Sequence, residues 1–248
     1  YSVVTPERKE LLDPQESLGH VVYAIGMTGN FHSRPVETID AHINVLSKFL
    51  EKYKYESWLY LSSTRLYGLS ESLYSEEDKI NVFPGKDSIY DISKLLGESL
   101  CLSMQRPDVR IARLSNVYGV GQSRSTFLGD ILKKLNRGDE IRIEESPLSS
   151  KDYIHISDVV ELIEKIALSG KHTVYNVASG RNTKHCEIAE MIQKTLDIET
   201  IFKKNGRKRV FSKINVQRIK DDFCFNAQDI KHKFPKLIKN ITFEQDWN

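Results

Sequence analysis

The chain has 248 residues, 40% apolar, 28% charged and 9% aromatic, enough to bury a core and unlike a disordered or fibrous chain. Lys and Arg number 36 against 34 Asp and Glu, so bulk charge gives no general attraction for nucleic acid or a membrane surface, and an anion site must be local. No apolar run approaches the roughly 20 residues that span a bilayer, and Cys101, Cys186 and Cys224 outline neither a disulfide framework nor a metal site, which suits a reducing cytoplasm.

Ser2 to Thr5 is a short apolar run that reads as a strand end, followed by a charged loop from Pro6 to Glu16. Val21 to Ile25 is continuously apolar, the pattern of a strand buried on both faces, and Gly26 stops it. Ile39, Ile43, Leu46 and Leu50 share one helical stripe. Trp58 to Leu61 reads as a strand, Ile92 to Leu102 as a helix and Val109 to Ala112 as a strand. A helix at Phe127 to Leu135, a short segment at Ile141 to Ile143 and a strand at Tyr153 to His155 follow. Asp158 is placed to cap a helix that runs to Ser169-Gly170. Val174 to Val177 and Ile188 to Leu196 give one more strand and helix, and the last fifty residues are less regular. Alternation of this kind predicts an α/β fold, a doubly wound parallel sheet whose ligands lie beyond the carboxyl ends of the strands.

The chemistry-bearing residues are Tyr90 and Lys94, one helical turn apart, and Ser62-Ser63-Thr64 at the end of the Trp58 strand. A lysine beside a phenol favours the phenolate and lowers a pKa that is otherwise near 10, and a serine at a strand end can hold the reacting oxygen against it. Alone, a Tyr-x-x-x-Lys spacing also describes an exposed aromatic stacked on a lysine stem. Its context is more specific. Leu61-Ser-Ser-Thr-Arg-Leu-Tyr-Gly68, Tyr90-x-x-x-Lys94 with Glu98, Arg113-Leu-Ser-Asn-Val-Tyr-Gly119, Lys151-Asp-Tyr-Ile-His-Ile-Ser-Asp-Val159 and Tyr175-Asn-Val-Ala-Ser-Gly180 occur in this order. Together they resemble the extended short-chain dehydrogenase/reductase family, in its NAD-dependent epimerase/dehydratase group that acts on nucleotide sugars.

The resemblance implies that Ser63 and Tyr90 are catalytic, that Lys94 is their electrostatic partner and contacts the cofactor ribose, and that Thr64, Asn116 and Arg218 face the substrate. It implies hydride transfer at a sugar carbinol. Thr64 and Arg65 stand where dehydratases of the family carry an Asp-Glu pair, and Arg65 stands where reductases of the fucose-synthase kind carry a cysteine. Elimination and enolisation are thus disfavoured, leaving a 4-epimerase or a ketoreductase. Arg65 reads equally as a surface cation beside the acidic loop Glu71 to Asp78, and the run Lys203 to Arg209 reads as a solvated basic loop in preference to an anion site. Lys151 replaces the family's arginine, His42 stands where many relatives have Asn, and His155 and Asp158 are assigned to packing and capping.

For the cofactor the resemblance implies NADP or NAD. Arg8, which can hold a 2′-phosphate, leans the choice to NADP, and Gly26 allows close backbone approach to the cofactor alongside Tyr90 and Lys94. The expected division is a dinucleotide-binding part at 1–117 and 151–177 and a smaller substrate lobe at 118–150 and 178–248. A Gly-x-x-Gly-x-x-Gly turn occurs nowhere in the chain, and the resemblance places it on roughly thirty further residues before Tyr1. The expected partner is a nucleotide sugar, in polysaccharide biosynthesis in the cytoplasm, with a homodimer left open and no metal, nucleic acid or membrane. The alternative is a catalytically silent relative that serves as a binding or scaffold module.

Overall fold

The computed structural model describes residues 3–5, 17–27, 29 and 31–241. In chain order it contains β1 (His20–Tyr23), α1 (Pro35–Ile39), α2 (Val45–Lys52), β2 (Ser57–Ser63), β3 (Leu73–Tyr74), α3 (Ile89–Ser103), β4 (Val109–Leu114), β5 (Asn116–Tyr118), α4 (Phe127–Arg137) and β6 (Ile141–Glu145). Then follow β7 (Ser150–His155), α5 (Ile156–Ser169), β8 (Val174–Val177), β9 (Asn182–Lys184), α6 (His185–Leu196), β10 (Thr200–Arg207), β11 (Lys213–Ile214), α7 (Gln217–Phe223) and α8 (Ile230–Ile241).

The principal sheet has the order β1-β2-β4-β8, and every pairing is parallel. Side chains alternate across β2. Trp58 and Tyr60 join Leu46, Leu50, Cys101 and Ile111 on the face covered by α2 and α3, whereas Leu59 packs with Ala112, Val159, Leu162 and Ile166 on the face covered by α5. Helices on both faces make the sheet doubly wound, as expected. Ile214, Val216, Ile219 and Phe225 pack on the α5 side. A separate core gathers α4, β6, α6 and α8 around Leu132, Ile141, Ile192, Phe234 and Ile238. No helix among the described residues is long and apolar enough to cross a membrane.

Several local expectations change. Val3 to Thr5 carries no strand, with Val3 84% and Val4 77% exposed, because no described residue supplies the ladder bonds a strand needs; Ser2 lies outside the described residues. β1 is shorter than expected and is an edge among the described strands, so Val22 is 41% exposed and not buried on both faces. A π-helical turn over Asp40–Asn44 separates α1 from α2. The wider turn rotates the stripe, so Thr38, Ala41 and His42 are buried in place of Ile39 and Ile43, while Leu46 and Leu50 keep their places. α5 starts two residues before Asp158, capped by His155, whose Nδ1 accepts from the Ser157 N–H at 3.2 Å. Asp158 instead accepts from the Gln228 N–H at 2.8 Å, tying the C-terminal segment to α5. The last fifty residues are more regular than expected, with β10 beside β6 and α8 continuing through Pro235.

Candidate active site

β2 ends at Ser63 in extended backbone, and the chain turns at once into a 3-10 helix over Thr64–Tyr67. The Ser63 hydroxyl accepts from the Arg65 N–H at 3.1 Å, which fixes the turn. Tyr90 lies in the first turn of α3, and the Ser93 hydroxyl donates to its carbonyl at 2.9 Å. Lys94 follows one turn later. These residues border a cavity of about 530 Å³ at the carboxyl ends of β1, β2 and β4, lined also by Gly26, Phe31, Asn116, Lys151 and Arg209. The structure therefore brings together Ser63, Thr64, Tyr90, Lys94, Gly26 and Asn116 of the predicted set; Arg8 lies outside the described residues.

The electrostatics differ from the sequence expectation. Burial pushes the Tyr90 phenol up, and the Ser63 hydroxyl and the Arg65 cation only partly oppose this. The cation over the Tyr90 ring is Arg65, 5.6 Å from its centroid. Lys94 turns away to donate to the Leu61 carbonyl at 2.8 Å and sits 5.0 Å from the Tyr60 ring centroid. Burial pulls its ammonium down to about 8. Lys94 is thus not the group that lowers Tyr90 in this arrangement. Arg65 is not beside the acidic loop either: its Nε donates to Asp91 Oδ1 at 2.8 Å.

At the end of β1 the backbone is bare. A Cβ on Gly26 would lie 3.1 Å from His42 Nε2 and 3.5 Å from Lys94 Nζ, so glycine lets this strand end, Tyr90 and Lys94 share one wall of the cavity. His42 ties the helical segment to the strand end, because its Nε2 accepts from the Met27 N–H at 3.1 Å. These groups fit the reactive end of a nicotinamide nucleotide: exposed backbone for close approach, a phenol, and an ammonium one helical turn away.

The opposite side of the cavity is basic. Lys151 spans the rings of Phe127 and Phe211, 5.2 Å and 5.5 Å from their centroids. Its ammonium is pulled down by burial and by the fields of Arg209 and Arg65, against Glu145. Arg209 bonds Glu145 Oε1 through Nη1 at 3.2 Å, and its buried Nε has no partner. Donors in excess of acceptors mark an anion-binding surface. The basic run is divided: Arg209 faces the cavity, whereas Lys203 and Lys208 pair with Glu144 and Glu71 at the exposed surface. Arg218 does not reach the cavity. It bonds the Val174 carbonyl at 2.7 Å and Glu77 at 2.6 Å, because α7 packs beside β8. Arg209 is the member of that run to which the solvated-loop reading does not apply, because the turn after β10 brings it to the cavity.

Other motif residues hold the frame. Arg113 and Glu98 form a buried ion pair at 2.7 Å, with Glu98 also accepting from Ser62 Oγ at 2.5 Å. Arg113 donates to the Tyr67 hydroxyl at 2.8 Å, which donates to Asn176 at 2.8 Å, so β2, β4, β8 and α3 share one polar network. Asp152 accepts from the N–H groups of Ser179 and Arg181, both at 2.9 Å. Asn116 donates to the Asp152 carbonyl at 2.8 Å while lining the cavity, and Thr64 donates to the Leu114 carbonyl at 3.3 Å.

A parallel, doubly wound sheet with a cavity at its carboxyl ends is the framework of a nucleotide-dependent enzyme fold. The profile of the NAD-dependent epimerase/dehydratase family matches residues 7–178, and the chain belongs to that family. It is 27% identical over 195 residues to a dTDP-4-dehydro-6-deoxy-D-allose reductase of Streptomyces sp, covering 73% of this chain and 60% of that protein. It is 28% identical over 148 residues to the dTDP-4-dehydro-6-deoxyglucose reductase of Escherichia coli, covering 56% and 45%. The chain thus spans 60% of the first of these relatives and less than half of the second. In fold it is similar to RMD from Pseudomonas aeruginosa, solved with NADPH, at a TM-score of 0.79 and 21% identity over 98% of this chain and 90% of that one. The UDP-glucuronic acid 4-epimerase of Bacillus cereus, solved with UDP-glucuronic acid and NAD, gives 0.74 and 18% over 89% and 74%.

Proposed function

We propose that this chain carries the catalytic site of an NAD(P)-dependent nucleotide-sugar ketoreductase or epimerase that works at one sugar carbinol. The observation that carries this reading is that Ser63, Tyr90 and Lys94 line one cavity at the carboxyl ends of the strands, with Lys94 one turn after Tyr90 on the same helix. A phenol is protonated at neutral pH, so Tyr90 can donate its proton to a keto oxygen held by Ser63, the reductive direction. In the oxidative direction Tyr90 accepts the proton of the sugar hydroxyl. A bound nicotinamide supplies the hydride chemistry, with Gly26, Tyr90 and Lys94 bordering it. Lys151 and Arg209 hold the diphosphate, a role supported by the unpartnered Arg209 Nε, and Asn116 and Thr64 contact the sugar side.

The division into a dinucleotide-binding part at 1–117 and 151–177 and a substrate lobe at 118–150 and 178–248 belongs to the same reading. It is supported by the separate apolar core around Leu132, Ile192 and Phe234, except that the stretch from Ile214 to Phe225 packs on the principal sheet and belongs with the first part. NADP is preferred if Arg8 meets the 2′-phosphate, and Arg8→Ala then weakens NADP far more than NAD.

Two incubations test the proposal: NADPH or NADH with a dTDP- or UDP-linked 4-keto sugar, and NAD or NADP with the corresponding 4-hydroxy sugar. A ketoreductase oxidises one cofactor per sugar reduced; an epimerase interconverts the two C4 alcohols with no net cofactor change. Binding of both ligands with neither reaction would establish the silent-relative alternative.

A further inference from the structure

Arg65 and Asp91 form an ion pair that the roles above leave unused. It is tied to both reacting groups: the Arg65 N–H bonds the Ser63 hydroxyl at 3.1 Å, and Asp91 follows Tyr90 in α3. The guanidinium lies over the rings of Phe31 and Tyr90, 5.4 Å and 5.6 Å from their centroids, with the side chain 33% exposed along the cavity wall. Its Nε is held by Asp91 at 2.8 Å, and among the described residues nothing accepts from either Nη. An arginine fixed at Nε and stacked on two rings presents its other edge as a rigid fork of parallel N–H donors. That fork fits a carboxylate in bidentate fashion and a hydroxyl only singly.

We infer that Arg65 is a specificity-determining residue that binds a carboxylate on the sugar carbon next to the reacting one, making the substrate class a nucleotide-linked uronic acid or its keto form. The inference rests on the proposed reading of Ser63 and Tyr90 as the groups that hold the reacting oxygen. A neutral hexose leaves partly desolvated donors without a charged acceptor, and a site built around a polar contact discriminates against a ligand that lacks it. Asp91 sets the guanidinium in place before the ligand arrives, which limits the ordering cost.

Calorimetric titration of the full chain with UDP-glucuronic acid, UDP-glucose and dTDP-glucose is the test. The wild type is expected to bind UDP-glucuronic acid roughly ten- to a hundredfold more tightly than UDP-glucose, the loss typical of one charge-assisted contact. Arg65→Gln should bring that ratio close to one, and Arg65→Lys, which keeps the charge without the fork, should leave it in between. A wild-type ratio near one, or a preference that survives Arg65→Gln, overturns the inference while the neutral nucleotide sugars still bind. Failure of all three ligands to bind overturns both this inference and the proposed function.

Discussion

The His42 imidazole accepts a hydrogen bond from the Met27 N–H at 3.1 Å through Nε2. Nδ1 must then carry the ring proton and donate to Ser93 Oγ at 2.8 Å, and Ser93 in turn donates to the Tyr90 carbonyl at 2.9 Å. This directed chain links the end of β1 to the first turn of α3, and it requires a neutral ring. Burial and the Lys94 field hold His42 down at about 3, against an ordinary 6.5. The unfolded chain therefore binds more protons between those values, and stability falls as pH drops through that window. In denaturant titrations from pH 7 to pH 4, His42→Asn should remove part of the acid-side loss. Parallel curves for variant and wild type would show that His42 is not held neutral.

Lys94 has a consequence of the same sign in a more alkaline window. Its ammonium is held down at about 8 from an ordinary 10.5, chiefly by burial. The unfolded chain keeps the extra proton across that interval, so this cost is fully present below about 8 and fades as pH rises toward 10.5. The stability difference between the wild type and Lys94→Met should accordingly move in favour of the wild type between pH 8 and pH 10. A pH-independent difference would contradict the assignment.

The buried Glu98–Arg113 pair predicts a large structural effect. Glu98→Ala leaves the Arg113 guanidinium buried without its carboxylate, a change that costs about 3–5 kcal/mol when such pairs are broken from one side. Chemical denaturation measures it. A cost under about 1 kcal/mol would mean that water or a rearranged Tyr67 replaces the carboxylate.

Much of this organisation is legible in the sequence, because strand-helix alternation and the Ser63, Tyr90 and Lys94 spacing depend on local periodicity. What is not legible depends on packing. The π-helical turn at Asp40–Asn44 shifts the buried stripe by a rotation that no apolar spacing announces. Arg209 and Arg218 are equally plain as arginines in a basic tail, and only the packing of α7 beside β8 turns Arg218 toward Glu77 and leaves Arg209 at the cavity. Arg65 pairs with Asp91, 26 residues on, in place of the nearer acidic loop. Pro235 disguises α8, since proline inside a helix reads as a break.

The two arginines can be separated by experiment. Arg209→Ala should weaken UDP-glucose binding by roughly tenfold or more, the loss of a charge-assisted contact, and should reduce the salt dependence of binding. Arg218→Ala should leave binding within about twofold, because its donors are committed to Val174 and Glu77. The reverse order of effects would place the diphosphate elsewhere.

The most direct test of the central claim is the turnover of Tyr90→Phe, measured beside its ligand affinity and its unfolding midpoint. Only a hydroxyl is removed, so fold and nucleotide-sugar affinity should persist while the rate falls by about a hundred- to ten-thousandfold, the range for loss of a general acid. Turnover equal to that of the wild type, with the fold intact, would contradict the assignment of Tyr90 as the proton donor and with it the proposed reaction.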